Sequence, residues 1–387
     1  MPIEKIITFI IMFLFISPYP QQYTEKIDNK ELTYYSSYIL DEDTIFDEGD
    51  YICNSLNEVN ILVVKGAKLN IYPGRNISKI VKTSSRNLLE EENDIDLSNS
   101  DSYKYGLTAN IVAIGQDSQI IINGATIIVD CPFSDAIVAL NGARITIKNT
   151  TIITKQKYSK GLVVSYYSFA EISDSTSILT EGNFSPCIEL TTNGGVDATS
   201  SSLNSNGEGS SLISTIGKVE INLFSSSGNA NNSQLIVMLG NGMAAFHDCD
   251  FTVSGKGINN TDYYKNDINL NDGGIIIYQN EKYKDEVCDL NIFNSKLHIH
   301  NYKIPMISCF NVEATITIDN SNFDIGKTFI TAYKTENSII DIKIGITMRN
   351  FSFNETKKFI TDDLKNFNCK VDENMKENIE LIQMNNR

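Results

Sequence analysis

The stretch NGARITIKNTTIIT (residues 141–154) decides the fold of this chain, because its pattern returns along most of the sequence. The pattern is apolar-x-apolar-x-polar-x-x-apolar. The gaps between successive first apolar positions are 25, 26, 23, 25, 46 and 26 residues, and those positions are Ile145, Ala170, Val196, Val219, Ala244, Leu290 and Ile316. A period of about 25 residues indicates stacked copies of one small unit.

A second short apolar stretch precedes each copy, as in AIVAL (136–140) and LIVML (235–239). Alternation with a period of two, rich in Ile, Val and Thr, predicts strands, and the Gly, Asn and Ser residues between them predict turns. A unit of two or three short strands cannot bury its apolar side alone, whereas copies stacked as a solenoid can. The predicted fold class is therefore all-β, a single-stranded parallel β-helix.

In such a solenoid, equivalent positions of successive coils form ladders along the axis. The pattern predicts an inward apolar ladder of Ile147, Ile172, Ala198, Ile221, Phe246, Ile292 and Ile318. Two positions further on, it predicts a polar corner of Asn149, Asp174, Ser200, Leu223, Asp248, Asn294 and Asn320. Stacked amides and short polar side chains at a corner can hydrogen-bond from coil to coil.

The repeated NGARITIKNTTIIT pattern resembles the pectin-lyase-like right-handed parallel β-helix superfamily, over roughly residues 110–350. It is most similar to the repetitive β-helix regions of secreted microbial surface and adhesin-like proteins. The resemblance implies an architecture and leaves the activity open. It also implies right-handed coils, which agrees with the general handedness of parallel crossovers.

The net charge, the cysteines and the missing motifs argue against several classes of partner and functional site. Lys and Arg number 32 against 48 Asp and Glu, so the net charge of −16 argues against nucleic acid and anionic lipid as partners. Seven cysteines, far apart and without a C-x-x-C pair, argue against structural zinc and leave at least one thiol unpaired within the chain. Phosphate-binding glycine motifs and G-x-S-x-G are absent from the sequence.

The N-terminal sequence predicts secretion. Residues 1–20, MPIEKIITFIIMFLFISPYP, carry an apolar run with the length of a signal-peptide core, and an uncleaved anchor is the alternative. No second run is long enough to span a membrane, so we expect no membrane span. Seven N-x-S/T sequons fit a secreted glycoprotein: Asn76, Asn149, Asn183, Asn231, Asn259, Asn350 and Asn354.

Segments that break the repeat mark where binding residues are expected. Residues 84–106 form an acidic, loop-like stretch, and residues 256–273 and 279–289 account for the double gap of 46 residues. Three tyrosines there are candidates for stacking on sugars: Tyr263, Tyr264 and Tyr283. Three aspartates could hold calcium or act as acid and base: Asp262, Asp267 and Asp272. The alternative is that these segments are surface loops without a binding or catalytic role. Apart from calcium, no cofactor is expected.

Candidate catalytic and metal-binding residues are few. Of the hydrolase strings to which the resemblance points, G-H-G and R-I-K are absent, while N-T-D (260–262) and D-D (362–363) occur far apart in the sequence and not as one set. The candidate carboxylate pair is Asp248 and Asp250. Asp248 also lies in the polar corner, which gives it a structural explanation. His298 and His300 alternate in one strand and could share a metal, but no third ligand is evident, so no metal site is predicted.

The predicted organisation has four parts: a signal peptide (1–20), an N-terminal cap with the acidic loop (21–107), the parallel β-helix (108–354) and a C-terminal cap (355–387). Two short amphipathic helices are expected in the last part, at 356–367 and 373–383. The predicted function is a secreted or cell-surface noncatalytic module, adhesin-like, that binds glycan or extracellular protein. The alternative is a divergent polysaccharide lyase or glycoside hydrolase on the same fold.

Overall fold

The structure is a computed structural model that describes residues 20–81, 101–255, 273–283, 287–301, 303–334, 338, 340–351, 353, 355–361, 363–372, 376 and 379–383. Within these ranges the chain forms 36 strands, which we number in chain order, and one helix of four residues, α1 (Asp101–Lys104). Two single 3₁₀ turns cover Glu281–Tyr283 and Leu364–Asn366. The predicted signal peptide, the acidic loop before residue 101 and residues 256–272 lie outside the described residues.

The strands form three long sheets, A, B and C. Sheet A contains fourteen strands: β1 (Gln21–Ile27), β2 (Lys30–Leu40), β5 (Val59–Val63), β8 (Ile111–Ile114), β11 (Ile137–Leu140), β14 (Leu162–Val164), β17 (Ile188–Thr191), β20 (Ile213–Ile216), β23 (Ile236–Leu239), β26 (Ile275–Tyr278), β29 (Ile307–Phe310), β32 (Thr328–Tyr333), β34 (Lys357–Thr361) and β36 (Ile379–Gln383).

Sheet B contains twelve strands: β3 (Thr44–Phe46), β6 (Lys68–Ile71), β9 (Gln119–Asn123), β12 (Arg144–Lys148), β15 (Phe169–Ser173), β18 (Gly195–Thr199), β21 (Glu220–Phe224), β24 (Met243–His247), β27 (Val287–Phe293), β30 (Glu313–Asp319), β33 (Lys343–Arg349) and β35 (Phe367–Val371). Sheet C contains ten: β4 (Tyr51–Cys53), β7 (Asn76–Ile80), β10 (Thr126–Asp130), β13 (Thr151–Thr154), β16 (Ser177–Thr180), β19 (Ser202–Ser205), β22 (Ser227–Ala230), β25 (Asp250–Val253), β28 (Lys296–Ile299) and β31 (Asn322–Asp324).

Each strand pairs in parallel with its equivalent one coil later, as β12 does with β15 and β15 with β18. The predicted parallel β-solenoid is confirmed, with about 11 turns. The exception among the described pairs is β1, which runs antiparallel to β2. Parallel pairing extends beyond 108–354 in both directions, because β5 pairs with β8 and β34 with β36.

The inward ladder is confirmed except in one coil. The structure pairs Ile221 with Val196 and Leu223 with Ala198, so Leu223, fully buried, occupies the ladder position that the sequence pattern assigned to Ile221. The assignment of Leu223 to the polar corner was therefore wrong, and Ser225 lies there instead. A shift of two residues leaves every side chain on the same side of a strand, so apolar alternation alone cannot detect it.

The polar corner between sheets B and C has a backbone cause. Its residues all have left-handed φ angles between 45° and 56°, and they are Asn149, Asp174, Ser200, Ser225, Asp248, Asn294, Asn320 and Asn350. Asn and Asp tolerate this conformation better than other non-glycine residues. Side chains also bond along the axis: Asn320 Nδ2 donates to Asn294 Oδ1 at 2.9 Å. The chain thus turns at this left-handed residue from sheet B into sheet C.

Strands replace the helices expected at the C-terminal end. Residues 357–361 form β34 and residues 379–383 form β36, while the 3₁₀ turn Leu364–Asn366 is the described helical element there. The sequence KKFIT at 357–361 alternates with a period of two: Lys357, Phe359 and Thr361 are buried. Lys357 Nζ donates to the Ile325 carbonyl oxygen at 3.2 Å, so a lysine can occupy an inward position that a helical pattern would place in solvent.

A second apolar cluster covers the outer side of sheet A near its start. The β1–β2 hairpin and the segment after α1 pack there, around Tyr34 and Tyr105. Tyr34 Oη donates to the Tyr105 carbonyl oxygen at 2.9 Å and is fully buried. The outer side of sheet A is therefore a packed layer in this region. Within the described residues, no helix has the length and apolar character needed to cross a bilayer.

Candidate binding surfaces

Most of the tyrosines and aspartates predicted for the insertion fall outside the described residues: Tyr263, Tyr264, Asp267 and Asp272, together with Asp262. Tyr283 is described and is half-buried at the end of a 3₁₀ turn. Its ring lies against the backbone of Gly217 and Gly240, where an added Cβ would come within 3.2 and 3.1 Å of ring atoms. Lys282 Nζ lies 5.1 Å from the ring centroid. Tyr283 thus packs on the corner between sheets A and B.

The candidate carboxylate pair is separated by the corner between sheets B and C. Asp248 has a φ of 55° at the corner, and Asp250 begins β25 in the next sheet. Both residues are exposed. The two residues therefore do not lie in one strand, and Asp248 has the same conformational role as Asn294 one coil later.

Sheet B carries a row of aromatic rings on its solvent-facing side, which we call the ring lane: Phe224, His247 and Phe293. These residues pair in register across β21, β24 and β27. Ring centroids are 5.0 Å apart for Phe224 and His247, and 4.8 Å apart for His247 and Phe293. The interplanar angles of 13° and 24° are those of stacked rings. Phe224 is 38% exposed.

A polar lane lies beside the ring lane, at the outward position two residues earlier in each strand. Glu171, Asp197 and Asn222 follow one another across three strands, and Asn291 continues the lane beyond Ala245. Asn222 Nδ2 donates to Asp197 Oδ1 at 2.9 Å and to Glu220 Oε1 at 3.1 Å. The side of sheet B that faces solvent therefore presents three stacked rings with Asn222 and Asn291 beside them, and it presents the carboxylates of Glu171 and Asp197 in the two preceding coils.

Sheet C carries both sequence-predicted histidines on its solvent-facing side. His298 Nδ1 lies 2.6 Å from Asp324 Oδ2, and His298 Nε2 lies 3.2 Å from His300 Nδ1. Asp324 pairs with His298 across β28 and β31. The sequence pattern identified the two histidines but not Asp324, which is 26 residues further along and thus one coil away.

A buried group of charged side chains lies at the turn into sheet A. Lys160 Nζ donates to Glu189 Oε1 at 2.6 Å, and these side chains are 3% and 5% exposed. The Lys160 backbone N–H donates to Asp135 Oδ1 at 2.9 Å. Burial raises the pKa of Asp135 to about 6, against the lowering effect of Lys160. Glu189 points away from the interior of the coil, since its neighbours Ile188 and Leu190 belong to the interior core.

Sequence reasoning missed this buried group, although a signal for it exists. Asp135 in SDA (134–136) and Lys160 in SKG (159–161) occupy the same place in consecutive repeats, 25 residues apart. The repeat therefore places an acid next to a base. Glu189 carries a weaker signal, because it is a charged residue at an outward strand position where the preceding coils have Val138 and Val163.

A further set of ladders, also missed, closes the corner between sheets C and A. Phe133, Tyr158 and Phe184 stack with centroids 4.9 and 5.2 Å apart, and all three have φ near 55°. A serine follows each ring, and these serines are fully buried and bond along the axis: the Ser159 backbone N–H donates to Ser185 Oγ at 2.9 Å. The recurring F/Y–S dipeptide in the sequence is the signal for this corner.

The described sequons lie on the surface: Asn76, Asn149, Asn183, Asn231 and Asn350 are exposed, whereas Asn259 and Asn354 lie outside the described residues. Several of them take part in the axial ladders. Asn231 Nδ2, for example, donates to Asn206 Oδ1 at 2.7 Å. An attached glycan would replace one of the two amide hydrogens and leave the other for such a bond.

The seven cysteines all lie in described segments, and none of them forms a disulfide: Cys53, Cys131, Cys187, Cys249, Cys288, Cys309 and Cys369. Burial raises the pKa of Cys187 and Cys288 to about 12, so these thiols stay protonated and inert. In the part of the chain that the structure describes, no group of three or more His, Cys, Asp or Glu could hold a metal ion. Comparisons with protein-family models, with curated proteins and with solved structures find no match to this chain.

Proposed function

We propose that this chain is a secreted or cell-surface β-solenoid module that binds an extended glycan or extracellular protein along sheet B, without catalysis. The observation that carries the proposal is the ring lane of Phe224, His247 and Phe293 beside the polar lane on a solvent-facing sheet. An adhesin-like role and descent from the pectin-lyase-like superfamily are the finer parts of the proposal, and they rest on the resemblance of the repeat.

The shape of this side suits an elongated ligand. Twelve strands at a spacing of about 4.8 Å make sheet B about 50 Å long. A polymer lying along the coil axis would meet the polar lane over the five strands from Glu171 to Asn291, and the three rings over the last three of these strands. The stacked rings cover one another and present their edges, while the amides and carboxylates beside them can accept and donate hydrogen bonds. Aromatic residues next to polar groups are common in recognition surfaces.

The alternative, a divergent lyase or hydrolase, is supported by one specific observation. Asp135, with a pKa raised to about 6, lies beside Lys160 and Glu189, and a raised carboxyl pKa near a base is a mark of catalytic sites. Against this, the Lys160 and Glu189 side chains are at most 5% exposed and bond to each other. A substrate would have to open this group before reaching it, so a structural role is favoured.

Secretion is supported by the apolar run in residues 1–20 and by the exposure of the described sequons. Expression in a eukaryotic secretory host tests it. We expect the chain in the medium, without its first residues, and a fall in apparent mass after enzymatic removal of N-glycans. Retention of an intact N-terminus in the membrane fraction would contradict secretion and favour the anchor.

Binding is tested by a glycan array and by capture on extracellular-matrix proteins. The variant Phe224→Ser/Phe293→Ser removes the two outer rings of the ring lane. The matched control, Tyr167→Ser, removes a ring that is 74% exposed at the corner between sheets A and B. We expect the double variant to lose binding by about ten-fold or more and the control to keep it. Equal binding by all three proteins would refute the assignment to sheet B.

Catalysis is tested on the same polysaccharides by reducing-end and unsaturated-uronate assays. Turnover by the wild-type chain that disappears in Asp135→Asn and Glu189→Gln, with both variants folded, would establish the enzyme and overturn the noncatalytic proposal.

A further inference from the structure

We propose that His298 and His300 form a binding site for a divalent transition-metal ion such as Zn²⁺, with Asp324 positioning the first imidazole. The site lies on the exposed side of sheet C and is separate from the ring lane on sheet B. Its ligands are imidazole nitrogens, which Zn²⁺, Cu²⁺ and Ni²⁺ bind well, whereas calcium prefers oxygen ligands.

The distance between the two facing nitrogens fits two ligands of one ion. His298 Nε2 and His300 Nδ1 are 3.2 Å apart. Zinc–nitrogen bonds of about 2.0 Å at a tetrahedral angle place two ligand nitrogens about 3.3 Å apart. An ion can therefore replace the contact between the rings with little movement of either. His300 is exposed, so water can reach the ion and fill further coordination positions.

A metal-binding histidine usually donates its other ring N–H to a carboxylate or a carbonyl oxygen, and Asp324 provides such a carboxylate for His298. Its Oδ2 lies 2.6 Å from His298 Nδ1, so the carboxylate holds the Nδ1–H tautomer and leaves the Nε2 lone pair directed at His300. A carboxylate on the outer nitrogen fixes the ring and raises the donor strength of the inner one. His300 then needs the tautomer with its proton on Nε2, which its exposed ring can adopt in contact with water.

The backbone places these three groups rigidly. His298 belongs to β28, which pairs with Thr252 of the preceding coil on one side and with Asp324 of β31 on the other. The His300 backbone N–H donates to the Val253 carbonyl oxygen at 2.9 Å, so the residue just after the strand is also fixed. Because His298 and His300 alternate, both side chains leave the same side of the strand.

The test is a titration of the full chain, freed of metal by a chelator, with ZnCl₂ by calorimetry and with CoCl₂ by visible absorption. We expect one ion bound per chain, more weakly than in sites with three or four protein ligands, and a Co²⁺ spectrum typical of imidazole ligands. His300→Ala should weaken Zn²⁺ binding by about ten-fold or more, and Asp324→Asn should weaken it about ten-fold, in the range found for outer partners of metal ligands.

Thr252→Ala is the matched control, since it changes the other neighbour of His298 without removing an imidazole or a carboxylate. We expect it to bind Zn²⁺ like the wild type. Circular dichroism of each variant shows that the solenoid has folded. Absence of one-to-one binding in the folded wild type, or equal binding by wild type and His300→Ala, would overturn the proposal.

Discussion

Replacing Asp135 with asparagine should make the protein more stable at neutral pH and remove part of its pH dependence. Burial raises the pKa of Asp135 from 3.8 to about 6 in the folded chain, a shift of about two pH units. At about 1.4 kcal/mol per unit, this corresponds to about 3 kcal/mol. Between about pH 4 and 6 the folded state holds the proton more tightly than the unfolded state, so this contribution to the unfolding free energy falls as pH rises.

The amide that takes the place of the Asp135 carboxylate keeps an oxygen that can accept from the Lys160 backbone N–H, and Glu189 still neutralises Lys160. The Asp135→Asn variant should therefore match the wild type near pH 4 and exceed it by about 3 kcal/mol at about pH 7. Other titrating groups are common to both proteins, so the difference between the two curves reports on Asp135.

Urea unfolding at half-unit pH steps, followed by circular dichroism and by tyrosine fluorescence, measures the difference; the chain has no tryptophan. Coincidence of the two probes is needed, since repeat arrays can unfold in stages. Lys160→Met is the contrasting variant: it leaves two buried carboxylates without their cation, and we expect it to lose about 3–5 kcal/mol at about pH 7. Parallel curves for wild type and Asp135→Asn from about pH 4 to 7 would refute the reasoning.

Three further predictions concern the coil itself. Leu223→Ala should lower the free energy of unfolding in urea by about 2–5 kcal/mol, because Leu223 is in the core. Ser225→Gly should leave it unchanged or raise it, because φ at Ser225 is 48°. The opposite result for the two variants would support the register expected from the sequence. Gly182→Ala should cost about 3 kcal/mol or more, since its Cβ would lie 1.9 Å from the Gln156 carbonyl oxygen of the preceding coil, and an unchanged melting temperature would contradict this close approach. Burial raises the pKa of Cys369 to about 11, so thiol reagents at about pH 8 should label it slowly and the six buried thiols only after unfolding; rapid labelling of native protein would be inconsistent with the packing.

The sequence was enough to predict the solenoid, because its period and its alternation of two residues are both set by the stacking of coils. The ladder through Ile147 and Ile172 follows from that alternation alone. The register error at Leu223 shows the limit of the same signal, since a two-residue shift changes neither the inward pattern nor the repeat length by much. The polar corner contained the missing information, because leucine is the one apolar residue in the predicted ladder and it has no short polar side chain that could bond locally to support a left-handed backbone.

The candidate surfaces were harder to predict, because they join residues about 25 positions apart whose side chains carry no local motif. Asp324 becomes a partner of His298 only through the pairing of β28 with β31. Phe224 and Phe293 look like core residues in a linear pattern, yet each is the last residue of its strand and faces solvent. The C-terminal helices were wrongly predicted because a lysine in the sequence is expected to face solvent, as on the polar side of a helix. Lys357 is instead buried in a strand, where its ammonium group donates to the Ile325 carbonyl oxygen.

The antiparallel strand β1 makes the two ends of sheet A different in kind. At the other end, β36 is the outermost of the described strands and runs parallel to its neighbour, and Leu381 there is 52% exposed. A copy arriving head to tail would have to pair β36 with a strand of reversed direction that carries Glu25 and Lys26 among its exposed or half-exposed residues. The parallel pairing of the coil therefore cannot continue unchanged across such a contact, because the strand direction reverses there and the edge strand carries charge.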